Sequence, residues 1–593
     1  MTLPAVARLR RAGADVSALI TGSFAVLTVV AAVGLWAAGL TTIDLSDMND
    51  LGLISVLPPV TIAGPLLLTA SFAFVLVAQP LRTGLVLLHV VVMIVMLYAL
   101  PTIIEDAPRF NVAWRHLGIT EVLTRTGGID PEIDAYFSWP GFFALSALLT
   151  EVAGRDASLD LVAWAPLVFN LLYLPPLLLI LRAASPDQRV VWLAVWFFFI
   201  TNWIGQDYYA PQAYAYFLYL VVLAIVLTWF GRDPDPIRPL PRAWFLPFKP
   251  VLPPVTPQLQ RAALFGILIV LFAIMVASHQ LTPFAILGVV LTLVVLRRIT
   301  TSGLPIVMIV VIGTWLSYMT VSYLAGHLRD LVDRIGSVDT TVAANLTDRF
   351  TGSEQHLFVL GIRSGTTLVL WGLAAIGTLR RVMAGDRDLT WPFLAAAPFT
   401  LFLLQEYGGE ILLRIYLFSL PFMALLAANA LLGFSFRRGW LPVAGILLTG
   451  SVLLGGFFVS RYGNERMDII TASEEAGMRR LYEIAPHGSL LVAASDNVFW
   501  RFRDYELYDY AVMTDEFLAA DYAAIEDRLR DSPNGPAFIV LSRAQRAAFE
   551  LRHGVDASEW NLMLQWLDEV PGLSQVFDNG DVEIYELSGG APA

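Results

Sequence analysis

Apolar residues recur along this chain in stretches of about 20, each long enough for a helix to cross the hydrocarbon of a bilayer. Thirteen such stretches lie at 17–40, 53–79, 84–104, 160–181, 190–205, 212–230, 262–278, 282–296, 304–326, 361–379, 390–405, 411–434 and 440–459. Of 593 residues, 57% are hydrophobic and 15% charged, so most of the chain must take lipid as its solvent. The first stretch is too long for the h-region of a signal peptide and lacks a small-residue cleavage pattern, so it reads as a retained span. The absence of cysteine excludes a disulfide framework, a thiolate metal site and a cysteine nucleophile.

Basic residues set an orientation. Arg8, Arg10 and Arg11 precede the first span. With the N-terminus (1–16) in the cytoplasm, the inner loops hold Arg82, Arg182, Arg189, Arg232, Arg238, Arg242, Lys249, Arg261, Arg297, Arg298, Arg380, Arg381, Arg387, Arg437 and Arg438. Four short outer loops, near 41–52, 206–211, 279–281 and 406–410, hold no Lys or Arg. The transmembrane part is then 17–460, and 461–593 lie outside. This tail holds 24 acids against 11 arginines, which accounts for the net charge of −12 and makes nucleic acid an unsuitable partner.

The tail reads as a small α/β domain. "SEEAGMRRLYEIAP" has the pattern of a capped helix. "GSLLVAAS" and "PAFIVLS" read as buried strands, and the Asn-Gly in "QVFDNGDVEIYEL" predicts a hairpin. No Walker, Rossmann or zinc pattern occurs in it. Two outer loops are long: 105–159, which contains the amphipathic "DAYFSWPGFFALSALLTEVAG", and 327–356. The longest inner loop, "GRDPDPIRPLPRAWFLPFKPVLPPVTPQ", reads as a stiff, extended connector.

A charge within or at the end of a span is costly unless paired or wet, so each is a functional candidate. Here they gather on the outer side. Glu105, Asp106 and Arg109 follow the third span; Asp207 and Gln212 join spans five and six; His279 joins spans seven and eight; Arg363 starts span ten; Glu406, Glu410 and Arg414 join spans eleven and twelve. Structural roles are open to several. Glu410 and Arg414 are four apart and can neutralise each other. His279 can cap a span, Asp207 can fix a turn, and His89, mid-span, can simply pack. None of these explains why the group shares one face. Transfer of a sugar from a lipid phosphate does explain it. That chemistry needs a carboxylate to take the acceptor proton and arginine to hold the departing phosphate. The phosphate leaves readily, so a second carboxylic acid, as in glycosidases, is not required.

The same stretches resemble the GT-C superfamily of membrane glycosyltransferases, which includes the protein O-mannosyltransferases and aminoarabinose transferases. In that family an early span is followed by an acidic pair and a helix of the form D-E-x-x-Y-x-x-x-A, then Gly. "EDAPRFNVAWRHLG" resembles this, with the acids in the order Glu-Asp and Phe110 in the aromatic slot. "YFSWPGFFALSALLTEVAG" is similar to the second amphipathic piece, and "QDYYAPQAYAYFLYLVVLAIVL" to a later loop and span. The acidic loop follows the third span here rather than the first, the tail has no W-W-D-x-G motif, and Gln212 stands where an acid often does. The resemblance implies Asp106 as catalytic carboxylate with Glu105 as the other candidate, and Arg414, Arg363 and His279 as donor-phosphate ligands. Arg109, Asp207, Gln212 and Glu410 would contact substrate, and Arg109 stands close enough to hold Asp106 ionised. A rival acidic cluster, Asp44, Asp47 and Asp50, has no neighbouring arginine.

The sequence therefore predicts a polytopic α-helical membrane protein of about 13 transmembrane helices, GT-C-like, with a small C-terminal extracytoplasmic α/β domain. It would be a multi-pass protein of the bacterial plasma membrane, moving a sugar from a polyprenyl-phosphate donor to a cell-envelope glycan, lipid or protein. No metal ligand set is named, and a divalent cation is not favoured. The competing readings are a transporter or flippase of a lipid-linked saccharide, which would want polar residues at the midplane, and a non-catalytic subunit of a polysaccharide assembly machine.

Overall fold

A computed structural model describes residues 3–154, 158–232, 257–322, 325, 350–386, 388–403, 410–432 and 440–587, with side chains from residue 22. The proline-rich connector, most of the loop at 327–356, Glu406, Arg387, Arg437 and Arg438 lie outside the described residues. In chain order the helices of the membrane part are α1 Leu3–Leu40, α2 Pro59–Val77, α3 Thr83–Tyr98, α4 Leu100–Ile104, α5 Asn111–Thr126, α6 Gly141–Ala153, α7 Ser158–Ala184, α8 Gln188–Thr201 and α9 Pro211–Trp229. They continue with α10 Gln258–Ser278, α11 Thr282–Val295, α12 Leu304–Tyr318, α13 Glu354–Met383, α14 Thr390–Ala396, α15 Ile411–Leu432 and α16 Leu441–Tyr462.

Each of the thirteen apolar stretches forms a helix, but they are not thirteen equal spans. Eight described helices (α1, α2, α7, α9, α10, α13, α15 and α16) are long and apolar enough to cross a membrane, and the protein is a multi-pass membrane protein. The stretches behind α3, α8, α11, α12 and α14 give shorter apolar helices. Prolines mark two of the breaks, because Pro has no N–H to continue the ladder. The stretch at 84–104 divides into α3 and α4 just before Pro101, and the stretch at 390–405 passes from α14 into a 3-10 turn, Ala397–Leu403, that contains Pro398.

Helices α8 and α15 form the centre. Every residue of α8 from Val190 to Thr201 is buried, as its apolar periphery demands of a helix surrounded by other helices. Gly377 of α13 lets that helix close on α15, since a Cβ there would run into the Leu426 carbonyl oxygen. The two ends of the bundle differ. One end holds arginines tied to backbone or acids: Arg189 donates to the Leu76 and Ala78 carbonyls, Arg298 pairs with Asp388, and Arg381 pairs with Asp386. The other end gathers the loops 41–58, 105–154, 202–210 and 279–281 beneath the C-terminal residues. Contacts there include Arg466–Asp50, the Phe110 N–H to the Asp468 carbonyl, and Ser353 N–H to the Leu551 carbonyl.

After α16 a short helix, α17 Glu465–Asp468, leads to α18 Ala472–Ile484, whose capping box joins Thr471 and Glu474. A five-stranded sheet follows in the order β2-β1-β3-β5-β4, with β1 Leu490–Ala493, β2 Asp509–Val512, β3 Ala537–Ser542, β4 Leu573–Asp578 and β5 Val582–Leu587. The strands β2, β1 and β3 are parallel, and β5 is antiparallel to β3 and β4. All residues of β1 and β3 are buried, because apolar clusters cover both faces of the sheet. The predicted hairpin is β4–β5, turning through Asn579 and Gly580. Edge strand β2, half exposed and short, carries no apolar run that would announce it.

Candidate active site at the loop end

Six residues, Glu105 to Phe110, connect α4 to α5 without helical structure. The Glu105 N–H still bonds to the Pro101 carbonyl and closes α4, and Pro108 prevents the helix from resuming. Phe110, the residue before α5, has φ 70° and ψ 111°, a region that a side chain with a Cβ rarely adopts. Its surroundings hold it there: the N–H goes to Asp468, the ring meets Tyr208 at 5.3 Å, and Gly205 leaves room for its edge. Strain enforced in this way clusters at functional sites, which makes the loop a candidate.

Arg109 is buried against two carboxylates. It pairs with Glu105 and, at 2.5 Å, with Glu465 of α17. Burial alone would drive off its proton, but Glu105 and Glu465 outweigh that and hold the guanidinium charged above its usual range. Its planar group also lies 5.3 Å from the Tyr462 ring. The expected partnership with Asp106 does not form: residues 105–110 are not helical, so three positions apart does not mean adjacent.

Asp106 is the exposed acid of the pair, and it makes no hydrogen bond or ion pair with any described residue. It lines a cavity of ≈ 320 Å³ together with Thr102, Glu105, Arg109, Asp160, Trp164, Tyr208 and Glu475. The volume is within the range of ligand sites. Helix α7 supplies one wall from its first turns, and Glu475 of α18 overhangs from the C-terminal region.

A second cavity, of ≈ 100 Å³, is lined by Arg115, Asp134, Tyr136, Trp139, His279 and Gln280, among others. An aromatic wall links the two. Tyr208, which lines the first, stacks on His116 at 5.9 Å, and His116 meets Tyr136 of the second at 5.1 Å. His116 donates from Nδ1 to the Tyr209 carbonyl, and burial pushes its pKa down to about 4. His279 accepts at Nδ1 from the N–H groups of Leu281 and Thr282, so it does cap α11. Burial drives its pKa well down, helped by Arg414 and His116. Asp134 gathers Arg115, the Tyr505 hydroxyl and the Tyr136 N–H.

The remaining predicted residues lie off the first cavity. Asp207 is buried on Arg461, 2.8 Å away, and on Asn170. Gln212, at the start of α9, is buried with neither amide atom hydrogen-bonded to a described residue. Arg414 pairs with Glu410 at 2.8 Å, the neutralising contact their spacing allowed. Arg363 donates to the Ser460 carbonyl and faces Trp203. Asp50 of the rival cluster binds Arg466, while Asp44 closes its own turn onto Ser46. Among the described residues no three His, Asp or Glu side chains form a metal-binding group.

Sequence reasoning passed over Glu465, Arg115, Asp134 and Tyr208. Glu465 was reachable, because it follows the last span as Glu105 follows the third. Asp134 and Tyr208 carried no such signal, since only the fold of 127–140 and of 202–210 brings them inward.

No protein-family model matches the chain, and neither does any curated protein. Solved structures do resemble it. The oligosaccharyltransferase AglB from Archaeoglobus fulgidus, in complex with an inhibitory peptide and a dolichol-phosphate, aligns with a TM-score of 0.50 at 12% identity over 79% of this chain and 71% of that one. ArnT from Cupriavidus metallidurans bound to undecaprenyl phosphate aligns with a TM-score of 0.47 at 13% identity over 86% of this chain and 100% of that one. At such identities the likeness is one of fold, and the match to AglB carries it: the chain shares its fold with that oligosaccharyltransferase.

Proposed function

We propose that the protein is a glycosyltransferase that moves a sugar from a polyprenyl-phosphate donor to a cell-envelope glycan, lipid or protein. The observation that carries this reading is the state of Asp106: an exposed carboxylate without a partner among the described residues, in a cavity beside a strained backbone, on a GT-C fold. In the reaction the acceptor hydroxyl attacks the anomeric carbon, its proton passes to Asp106, and the bond from that carbon to the phosphate oxygen breaks with its electron pair leaving on the lipid phosphate. Glu105 is engaged by Arg109 and is the weaker candidate. Arg414, with His279 beside it, and Arg363 are the proposed donor-phosphate ligands, because the guanidinium fork matches phosphate oxygens. Arg109 and Asp207 act through the loops they anchor, and Gln212 and Glu410 complete the polar surroundings. Residues 17–460 form the transferase body and 461–593 an extracytoplasmic domain. Arginines at the opposite end support a reading in which that end faces the cytoplasm of a bacterial plasma membrane and the cavity faces the outer leaflet.

The test is donor consumption. Protein reconstituted in vesicles with a panel of labelled polyprenyl-phosphate sugars and envelope extract should release polyprenyl phosphate as sugar enters the extract. Movement of intact donor between leaflets without release would instead support a flippase.

A further inference from the structure

The sheet of the C-terminal region has a feature that free α/β domains use for ligands. The chain runs from β1 to β2 on one side, then returns to β3 on the other, so the carboxyl ends of β1 and β3 flank a topological switch point. A crevice there is the usual binding place of an open α/β sheet. Here the protein's own backbone fills it. After β1, Asn497 donates to the Met467 and Ala544 carbonyls, and the Asp496 carbonyl accepts from Asn111 at the start of α5. After β3, Arg543 donates to the Arg466 carbonyl at 3.0 Å and to the Ile469 carbonyl at 2.7 Å. The crevice therefore grips α17, the helix that presents Glu465 to Arg109, while Asp468 of the same helix accepts from Phe110.

We propose that Glu465 is a positioning residue for the transfer reaction: delivered by the sheet's switch-point crevice, it shares Arg109 with Glu105 and so locks the 105–110 loop with Asp106 facing the cavity. The inference rests on the reading of Asp106 given above. Arg109 donates from Nε and Nη2 to Glu105 and lies 2.5 Å from Glu465, so Glu105 is its hydrogen-bonded partner, Glu465 its second acid, and Asp106 is left for the acceptor. Burial pushes the Glu465 carboxyl well above its ordinary range despite Arg109, with Glu105 adding to the rise.

Glutamine keeps the shape of a glutamic acid whose ionisation burial disfavours. In Glu465→Ala, hydrogen exchange across 105–118 should accelerate about tenfold or more, as a locally released segment does, while strands β1 and β3 keep their protection. Glu465→Gln should retain the parent's protection. Turnover should follow the same order, with kcat down about tenfold in Glu465→Ala, KM nearly unchanged, and both restored in Glu465→Gln. Three results would each overturn the proposal: full protection of 105–118 in Glu465→Ala, an equal release in Glu465→Gln, or exposure of β1 and β3 along with the loop. The exchange measurement needs no activity, so it decides the role of Glu465 even if the transferase reading fails.

Discussion

Two buried arginines, Arg461 and Arg109, lie 5.9 and 5.3 Å from the Tyr462 ring, and they differ in what they meet. Arg461 meets one acid, Asp207, which is held in place by Asn170, itself bonded to Asn202. That pair joins α16 to the loop between α8 and α9 and lines neither cavity. Arg109 meets two acids, belongs to a strained loop, lines a cavity and has a third acid, Asp106, next to it without a partner among the described residues. A matched pair in a closed setting stabilises. An excess of acid beside a cavity leaves one carboxylate, Asp106, without a partner among the described residues. Residue type and depth are alike in the two places; what separates them is the charge count and access.

The comparison breaks first if Arg461 proves replaceable. Arg461→Met leaves Asp207 as an uncompensated buried charge, which should cost about 3–5 kcal/mol and show as a lowered midpoint of thermal unfolding in detergent. Adding Asp207→Asn should recover most of the loss. A double variant as unstable as the single one would mean that Asp207 has a role beyond the pair.

The wall between the cavities offers the next test. The folded state holds His116 neutral at a pKa of about 4, so below its ordinary value of 6.5 the unfolded chain binds a proton that the folded one does not. Its contribution is complete above about pH 6.5 and lost progressively as pH falls toward 4, by up to about 3 kcal/mol. A His116→Gln variant should flatten the slope of stability against pH in that window; an unchanged slope would place the acid sensitivity elsewhere.

Arg414 sharpens the phosphate side. Arg414→Lys keeps the charge and loses the fork, and it should weaken donor use by about 1.5–3 kcal/mol, roughly ten- to hundredfold. If Arg414 only neutralises Glu410, the double change Glu410→Gln with Arg414→Gln should leave donor turnover intact.

Helix placement was legible because lipid imposes a long apolar period on each span, and the hairpin was legible from Asn579-Gly580. Span lengths were not, since Pro101 and Pro398 interrupt stretches whose apolar character continues past them. At the site, the place of Glu105 and Asp106 at the end of a helix could be read, and so could the Arg414–Glu410 contact. Which acid Arg109 would choose could not, because the choice depends on Glu465, 356 residues further along, and on a loop that Pro108 keeps from being helical. Asp207 shows the converse: its place in the sequence suggested a substrate ligand, and the structure buries it on Arg461, which comes from the end of the last span.

The central claim is that Asp106 takes the proton of the acceptor, and one measurement addresses it directly: donor binding and turnover compared for the parent, Asp106→Asn and Glu105→Gln in the same vesicles. The account predicts that Asp106→Asn binds a polyprenyl-phosphate sugar with nearly the parent's Kd while release of polyprenyl phosphate falls about 10²–10⁴-fold, the usual share of a general base, and that Glu105→Gln is affected less. A folded Asp106→Asn protein that turns over lipid-linked sugar at close to the parent's rate would contradict it.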